Sequence, residues 1–280
     1  MELSAAYKYC RRMAFGHYEN FPVASLLLPQ PQRDAIAAVY AFARRADDFS
    51  DEPFYAPRRK QLLLDWRARL DREPGGHPVF TALEDARRRW KLPKQLLADL
   101  VQAFLQDCDR RRYDTFEALL AYCRLSAEPV GRLVLRIFGQ DSPAALRASD
   151  DICAALQLAN HWQDLASDAL VRDRIYLPGA EMRRFGVDEE QLRRGRWSPG
   201  LGELLRLQVD RAEALFASGQ DLPGRLPGRL GLEIRLTLLG GRGILRKIRA
   251  QGYDTLKRRP RMGALDAPGL LWAGLSGRTA

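Results

Sequence analysis

The sequence predicts an all-α protein, and three observations carry that expectation. Leu, Ala, Arg, Glu and Gln dominate the chain, and these are strong helix formers. Alternating runs of β-branched residues, the mark of half-buried strands, are almost absent. Apolar residues recur instead at helical spacing between Pro- and Gly-rich breaks. With 280 residues and 46% hydrophobic content there is ample material for a core. No linker divides the sequence, so residues 1–280 are expected to form one helical domain.

A first helix is expected over 4–14. The stretch from His17 to Ser25 then leads into Leu-Leu-Leu-Pro, with Pro22, Pro29 and Pro31 breaking regular structure. Its aromatic and polar content fits a loop lining a cavity, or equally a connector packed on the core. The next helix, about 33–51, has Ile36, Val39, Tyr40, Ala43 and Ala46/Asp47 on one side. That side ends in acid: Asp47 and Asp51 are four apart, so their carboxylates stack about 6 Å apart along the axis. Such like charges repel, and they call for water or a cation.

An amphipathic helix is expected over 57–73, with Leu62, Leu63, Trp66 and Leu70 inward and Pro57 near its start. The turn Pro74-Gly-Gly-His-Pro78 follows, and His77 in it reads as a surface residue. Helices over 78–90 and 93–112 come next. Residues 115–138 read as a long apolar helix interrupted by Pro129 and Gly131. A helix over 144–168 carries a second ladder, Asn160, Asp164 and Asp168 at i, i+4 and i+8, flanked by Gln157 and His161. The basic-aromatic loop Arg172 to Pro178 follows. Helices are expected over 188–194, 199–219 and 229–251, with the tandem Leu-Pro-Gly-Arg repeat at 222 and 226 as a loop. The stretch from Tyr253 to Arg261 is strongly basic.

The net charge of +10 points to an anionic partner or to solvated arginine-rich faces. No nucleic-acid motif accompanies it, so nucleic acid is not expected as a partner. Cys10, Cys108, Cys123 and Cys153 lack metal-ligand or redox spacing and are expected to be small core residues in a reducing compartment. The first residues do not form a signal peptide, and no apolar run reaches spanning length. The expected location is cytoplasmic, extending to peripheral contact with the inner membrane surface through the basic tail.

Two apolar helices that each end in hard oxygen donors would make an oxygen-only site suited to Mg²⁺, which takes one or two carboxylates plus waters and phosphate oxygens. Such a site suits a diphosphate leaving an allylic or cyclopropylcarbinyl carbon. Arg44, Arg174 and Tyr176 are added donors to phosphate oxygens, and Phe21 offers an aromatic face to a carbocation.

The two ladders, Asp47 to Asp51 and Asn160 to Asp168, resemble the paired aspartate-rich motifs of the squalene/phytoene synthase family. The resemblance extends over His17 to Phe21, Tyr40 to Arg44, Gln157, Arg174 to Pro178 and Tyr253. Within the family, Glu19 to Ser25, Ser126 to Gly131 and Gly240 to Leu245 are most like the hydroxysqualene synthase branch of bacterial hopanoid biosynthesis. The resemblance implies a single-domain isoprenoid-synthase helical bundle with a central active-site cavity. It implies Asp47, Asp51, Asn160, Asp164 and Asp168 as Mg²⁺ ligands. It implies Tyr40, Arg44, Gln157 and Tyr253, with His17, Tyr18 and Asn20, as substrate contacts. The branch implies ionisation of presqualene diphosphate, cyclopropane rearrangement and capture by water; whether a presqualene diphosphate synthase hands over the substrate as a partner is left open by the sequence.

Two positions depart from the family pattern. Gln163 stands where many members carry Arg, and Tyr18 where many carry Ser. Loss of the Arg removes a fixed positive charge near the diphosphate. That favours a substrate with one diphosphate over a condensation of two. His161 reads as a packing residue. The alternatives are a head-to-head condensing enzyme (presqualene diphosphate, squalene or phytoene synthase) and, in another class, a non-catalytic helical scaffold at a membrane surface.

Overall fold

The computed structural model describes residues 1–15, 27–263 and 265–276. They form helices α1 (Leu3–Phe15), α2 (Gln30–Asp51), α3 (Arg59–Ala68), α4 (Pro78–Trp90), α5 (Lys94–Asp109), α6 (Phe116–Ser126), α7 (Glu128–Ile137) and α8 (Pro143–Gln163). There follow α9 (Leu165–Val171), α10 (Gly179–Arg184), α11 (Glu189–Arg193), α12 (Pro199–Gly219), α13 (Leu222–Arg225), α14 (Gly228–Ala250) and α15 (Ala267–Ser276). Among the described residues no strand forms, and the sole extended pairing is an isolated bridge between Arg112 and Ile175. The protein is all-α, as its composition requires.

Two compact units divide the chain. One comprises Met1–Asp109 and Leu125–Leu146, the other Arg110–Arg124 and Arg147–Ala280. In the first, α2 packs against α1, α3, α4, α5 and α7. Its alanines let the neighbours approach: Ala35, Ala38, Ala41 and Ala46 are fully buried beside Phe42. Phe42 stacks on Trp66 at 5.7 Å and meets Phe80 edge-on at 5.9 Å. The Trp66 indole N–H donates to the Phe42 carbonyl at 3.2 Å, so the large ring is buried without orphaning its polar edge. His77 belongs to this cluster too, packed edge-on against Trp66 and Phe80. The turn that carries it is therefore folded onto the core, and burial pushes its pKa down.

Proline sets the punctuation. Pro29 and Pro31 open α2, because a missing N–H costs nothing in a first turn, and so the helix starts three residues before the expected position. The stretch over 57–73 is a ten-residue α-helix between two 3₁₀ turns, Pro53–Arg58 and Arg69–Asp71. The long helix expected over 115–138 is two helices. Its break falls at Ala127 (φ −121°, ψ −48°), because Pro129 sits in the first turn of α7 and cannot donate back into α6.

In the second unit α14 packs on α12, α13 and α15. Gly241 permits a close approach: a Cβ there would lie 2.5 Å from the Phe216 ring and 2.7 Å from Leu156. The first Leu-Pro-Gly-Arg is one turn of helix, α13, rather than a loop, and Pro227 in the second caps α14. Helices α10 and α15 lie where none was expected.

Candidate functional site

On α2 four side chains share a half-buried flank. Tyr40, Arg44, Asp47 and Asp51 sit at i, i+4, i+7 and i+11, within about 60° of one another around the axis. The fully buried face lies on another side, through Ala38, Phe42 and Ala46. The single stripe read from the sequence thus merges two faces, one for the core and one for polar groups. Arg44 spans the acids: its Nε donates to Asp48 Oδ1 at 2.9 Å, and its Nη1 lies 3.5 Å from Asp47 Oδ2. Ser50 donates to the Asp47 carbonyl and lies 3.0 Å from Asp51 Oδ1. Glu52 and Pro53 end the helix immediately beyond.

In the second unit α8 repeats this pattern. Cys153, Gln157, Asn160 and Asp164 recur at i, i+4, i+7 and i+11 and are half-buried, while Leu158, Ala159 and Trp162 are buried. The helix breaks at Asp164 (φ −99°, ψ 9°), and α9 begins at Leu165. The i→i−4 bonds nevertheless run through: Asp164 N donates to Asn160 O at 2.8 Å, and Asp168 N to Asp164 O at 2.9 Å. The second ladder therefore keeps its spacing across a local bend. Asp168 is buried, and desolvation pushes its carboxyl up to about 6, opposed by Arg172, whose Nη1 donates to Oδ1 at 2.9 Å.

Sequence reasoning missed what holds the loop after this ladder. Arg112 forks onto Glu189 at 2.7 and 2.9 Å and reaches Asp173 at 2.7 Å. Arg111 and Arg193 also bind Asp173, at 2.8 and 3.2 Å. These guanidinium groups hold the Asp173 carboxyl far below its ordinary value. Ile175 N donates to Arg111 O at 3.0 Å, so the loop carrying Arg174 and Tyr176 is tied along its length. The signal was present in the sequence only as unassigned charges.

Tyr176 is buried, stacked on His161 with centroids 3.6 Å apart and planes 16° apart; Tyr122 and Tyr113 complete the cluster. His161 is a packing residue, as expected. Burial drives its pKa down to about 3, with Arg174 reinforcing the shift, so the ring is neutral. Its buried Nε2 finds no hydrogen-bond partner among the described residues.

The basic tail meets the second ladder. Arg259 pairs bidentately with Asp164 through Nε and Nη2, the latter 2.9 Å from Oδ2. Next to it, the Pro260 carbonyl accepts from the buried Gln163 amide at 2.6 Å. Tyr253 begins this tail in the left-handed region (φ 61°) directly after Gly252 (φ 62°), a pair that turns the chain out of α14.

Four expected site residues, His17, Tyr18, Asn20 and Phe21, lie outside the described residues. Of the others, Tyr40, Arg44, Asp47 and Asp51 come together in the first unit. Gln157, Asn160, Gln163, Asp164, Asp168, Arg174, Tyr176 and Tyr253 belong to the second. Among the described residues no three His, Cys, Asp or Glu side chains gather into a metal-holding group.

A family model described as squalene/phytoene synthase matches residues 15–266. The chain belongs to the squalene/phytoene synthase family. Members similar to it carry different reaction names. A hydroxysqualene synthase of Sinorhizobium fredii is 34% identical over 91% of this chain and 87% of its own. A phytoene synthase of Thermus thermophilus is 36% identical over 95% and 91%. Among solved structures, squalene synthase HpnC of Alicyclobacillus acidocaldarius has a TM-score of 0.83 and 41% identity, covering 90% of this chain and 95% of its own. The chain is therefore an isoprenoid synthase of this family by sequence and by fold, and an isoprenoid diphosphate is the substrate class consistent with it.

Proposed function

We propose that this family member is a hydroxysqualene synthase, converting presqualene diphosphate and water into hydroxysqualene and diphosphate. The observation that carries the reading is the matched pair of half-buried stripes, Tyr40–Arg44–Asp47–Asp51 and Gln157–Asn160–Asp164. Each runs from neutral polar or aromatic groups to carboxylates, the order needed to seat an apolar chain at one end and a charged leaving group at the other. The branch rests on the motifs named above and on relatives that carry this reaction name at 34% and 35% identity.

The donor set fits Mg²⁺. Asp47, Asp51, Asn160, Asp164 and Asp168 offer only oxygen, and one or two carboxylates per ion suffice where waters and phosphate oxygens complete the shell. The carboxylates of Asp164 and Asp168 are paired with the guanidinium groups of Arg259 and Arg172, which Mg²⁺ would have to displace. Bound there, Mg²⁺ would screen the diphosphate and lower the cost of its departure.

The remaining roles fall to the chain's own groups. Arg44 and Arg174 would offer N–H donors to diphosphate oxygens, and Tyr40 and Gln157 would fix the substrate beside the acids. The neutral His161 and its tyrosine partners would keep the wall behind the second ladder dry and add no charge of their own. A carbocation formed there lacks a strong adjacent base, and capture by water ends the sequence.

A specific observation favours a second reading, head-to-head condensation. The sequence argument against two diphosphates was the missing Arg at Gln163. Arg259, brought by the tail onto the neighbouring acid, puts a positive charge back beside that position. The test is product analysis with purified protein and Mg²⁺. Presqualene diphosphate in ¹⁸O-labelled water should give labelled hydroxysqualene without a reductant. A hydrocarbon product, or efficient turnover of farnesyl or geranylgeranyl diphosphate, would replace the proposal with the condensing reading.

A further inference from the structure

Helix α15 is apolar nearly all round, yet much of its apolar surface faces outward. Its inner side carries Leu270 and Ala273, both half-buried, and Gly274, which is buried where a Cβ would lie 2.7 Å from Leu236 of α14. Its outer side carries Pro268, Leu271, Trp272 and Leu275, at i, i+3, i+4 and i+7. Leu271 is 51% exposed, Trp272 70% and Leu275 71%, and Leu265 just before the helix is 97% exposed. Ala267–Ser276 contains no charged residue. An isolated exposed leucine needs no explanation, but a helical stripe of large apolar groups aimed at solvent does.

The helix is held firmly in this pose. Lys247 of α14 donates to Asp266 Oδ2 at 2.8 Å and to the Arg261 carbonyl at 3.0 Å, while Gly263 N donates to Asp266 at 2.6 Å. Arg235 donates to the Gly274 carbonyl at 2.9 Å. Both ends are thus fastened to α14, and the apolar stripe is presented rather than folded away.

We propose that the outer face of α15 is a docking surface for an anionic lipid bilayer, with Trp272, Leu271, Leu275 and Leu265 entering the interface and Lys257, Arg258 and Arg261 meeting lipid headgroups. The three cations are exposed and lie on the segment that leads into the helix. Apolar anchors beside basic residues are the combination that binds a charged membrane surface. Charge argues against a second copy as the occupant, because an isologous dimer through this face would set the two basic segments against each other. The helix is too short to cross a bilayer, and no helix among the described residues is long and apolar enough to do so; α15 would lie on the surface. The choice of lipid over a protein partner rests on the proposed reaction, whose substrate tail and product are long hydrocarbons that partition into bilayers.

The experiment is co-sedimentation of the full chain, without substrate, with phosphatidylcholine vesicles containing or lacking phosphatidylglycerol. Binding should require the anionic lipid and weaken with salt. Leu271→Glu should reduce it roughly tenfold or more, since one large apolar anchor is lost and a repelled charge gained. Trp272→Phe should retain most binding while abolishing the part of tryptophan quenching that acyl-chain-brominated lipids produce in the wild type. Melting curves confirm that both variants fold. Absence of vesicle binding overturns the proposal. So does binding indifferent to Leu271→Glu, or wild-type self-association in sedimentation that Leu271→Glu removes. Product analysis in detergent micelles reports the reaction separately, so failure of the docking surface and failure of the proposed activity give different results.

Discussion

Gln163 and Arg259 should be energetically coupled, although 96 positions separate them. Gln163 is 2% exposed and its amide donates to the Pro260 carbonyl at 2.6 Å. Gln163→Leu keeps the volume but strands that carbonyl in a buried place. Leaving such a group unpaired costs about 1–3 kcal/mol. Arg259→Ala removes a bidentate pair to Asp164 whose partners are 36% and 21% exposed, so solvent screening holds its contribution to about 1 kcal/mol. Pro260 directly follows Arg259, so releasing the carbonyl should also loosen the guanidinium. The double variant should then cost less than the two single variants added together, with a coupling of at least ~0.5 kcal/mol. The assay is urea or thermal unfolding of the wild type and all three variants, with coincident probes to establish a single transition. Additivity within about 0.3 kcal/mol would refute the idea that Gln163 anchors the tail. A Gln163→Leu variant as stable as wild type would refute the stranded carbonyl.

Acid should destabilise the fold through His161. Its folded pKa, about 3, lies below the ordinary 6.5, so the unfolded chain binds more protons and stability falls as pH drops below 6.5. Between pH 7.5 and 5.5 the loss from this one ring is about 1.4 kcal/mol. His161→Phe should flatten that part of the stability–pH curve, and an unchanged curve would contradict a buried neutral imidazole. Asp47→Ala and Asp164→Ala should each abolish turnover on the true substrate with the far-UV signal retained; activity surviving either change removes that residue from the reaction. Arg112→Ala should cost about 1 kcal/mol, given its partial exposure, and free the loop after the second ladder. Amide exchange at residues 173–177 is the readout, and unaltered protection there would show that the ion network does not hold the loop.

The sequence by itself determined the fold class, most of the helices and the two acidic ladders, because these are local properties. Helix propensity, 3.6-residue periodicity and proline breaks act within a few residues. Spacing of four places Asp47 over Asp51 and Asn160 over Asp164 in any helix. The family motifs were equally legible, and the family match over residues 15–266 agrees with them. Tertiary structure decided what those groups touch. Local pattern did not separate the buried face of α2 from its polar flank, because alanines serve both packing and spacing. The turn at His77 looked solvated until Trp66 and Phe80 packed on it. The charges that hold the loop carrying Arg174 come from Arg112 and Glu189, far apart along the chain. Most consequential is the position of Gln163. Read along the chain, it is a place where a positive charge is missing. In the folded protein its amide holds the segment that brings Arg259 to Asp164, because electrostatic compensation depends on distance in space and the chain is free to supply the charge from anywhere it can reach.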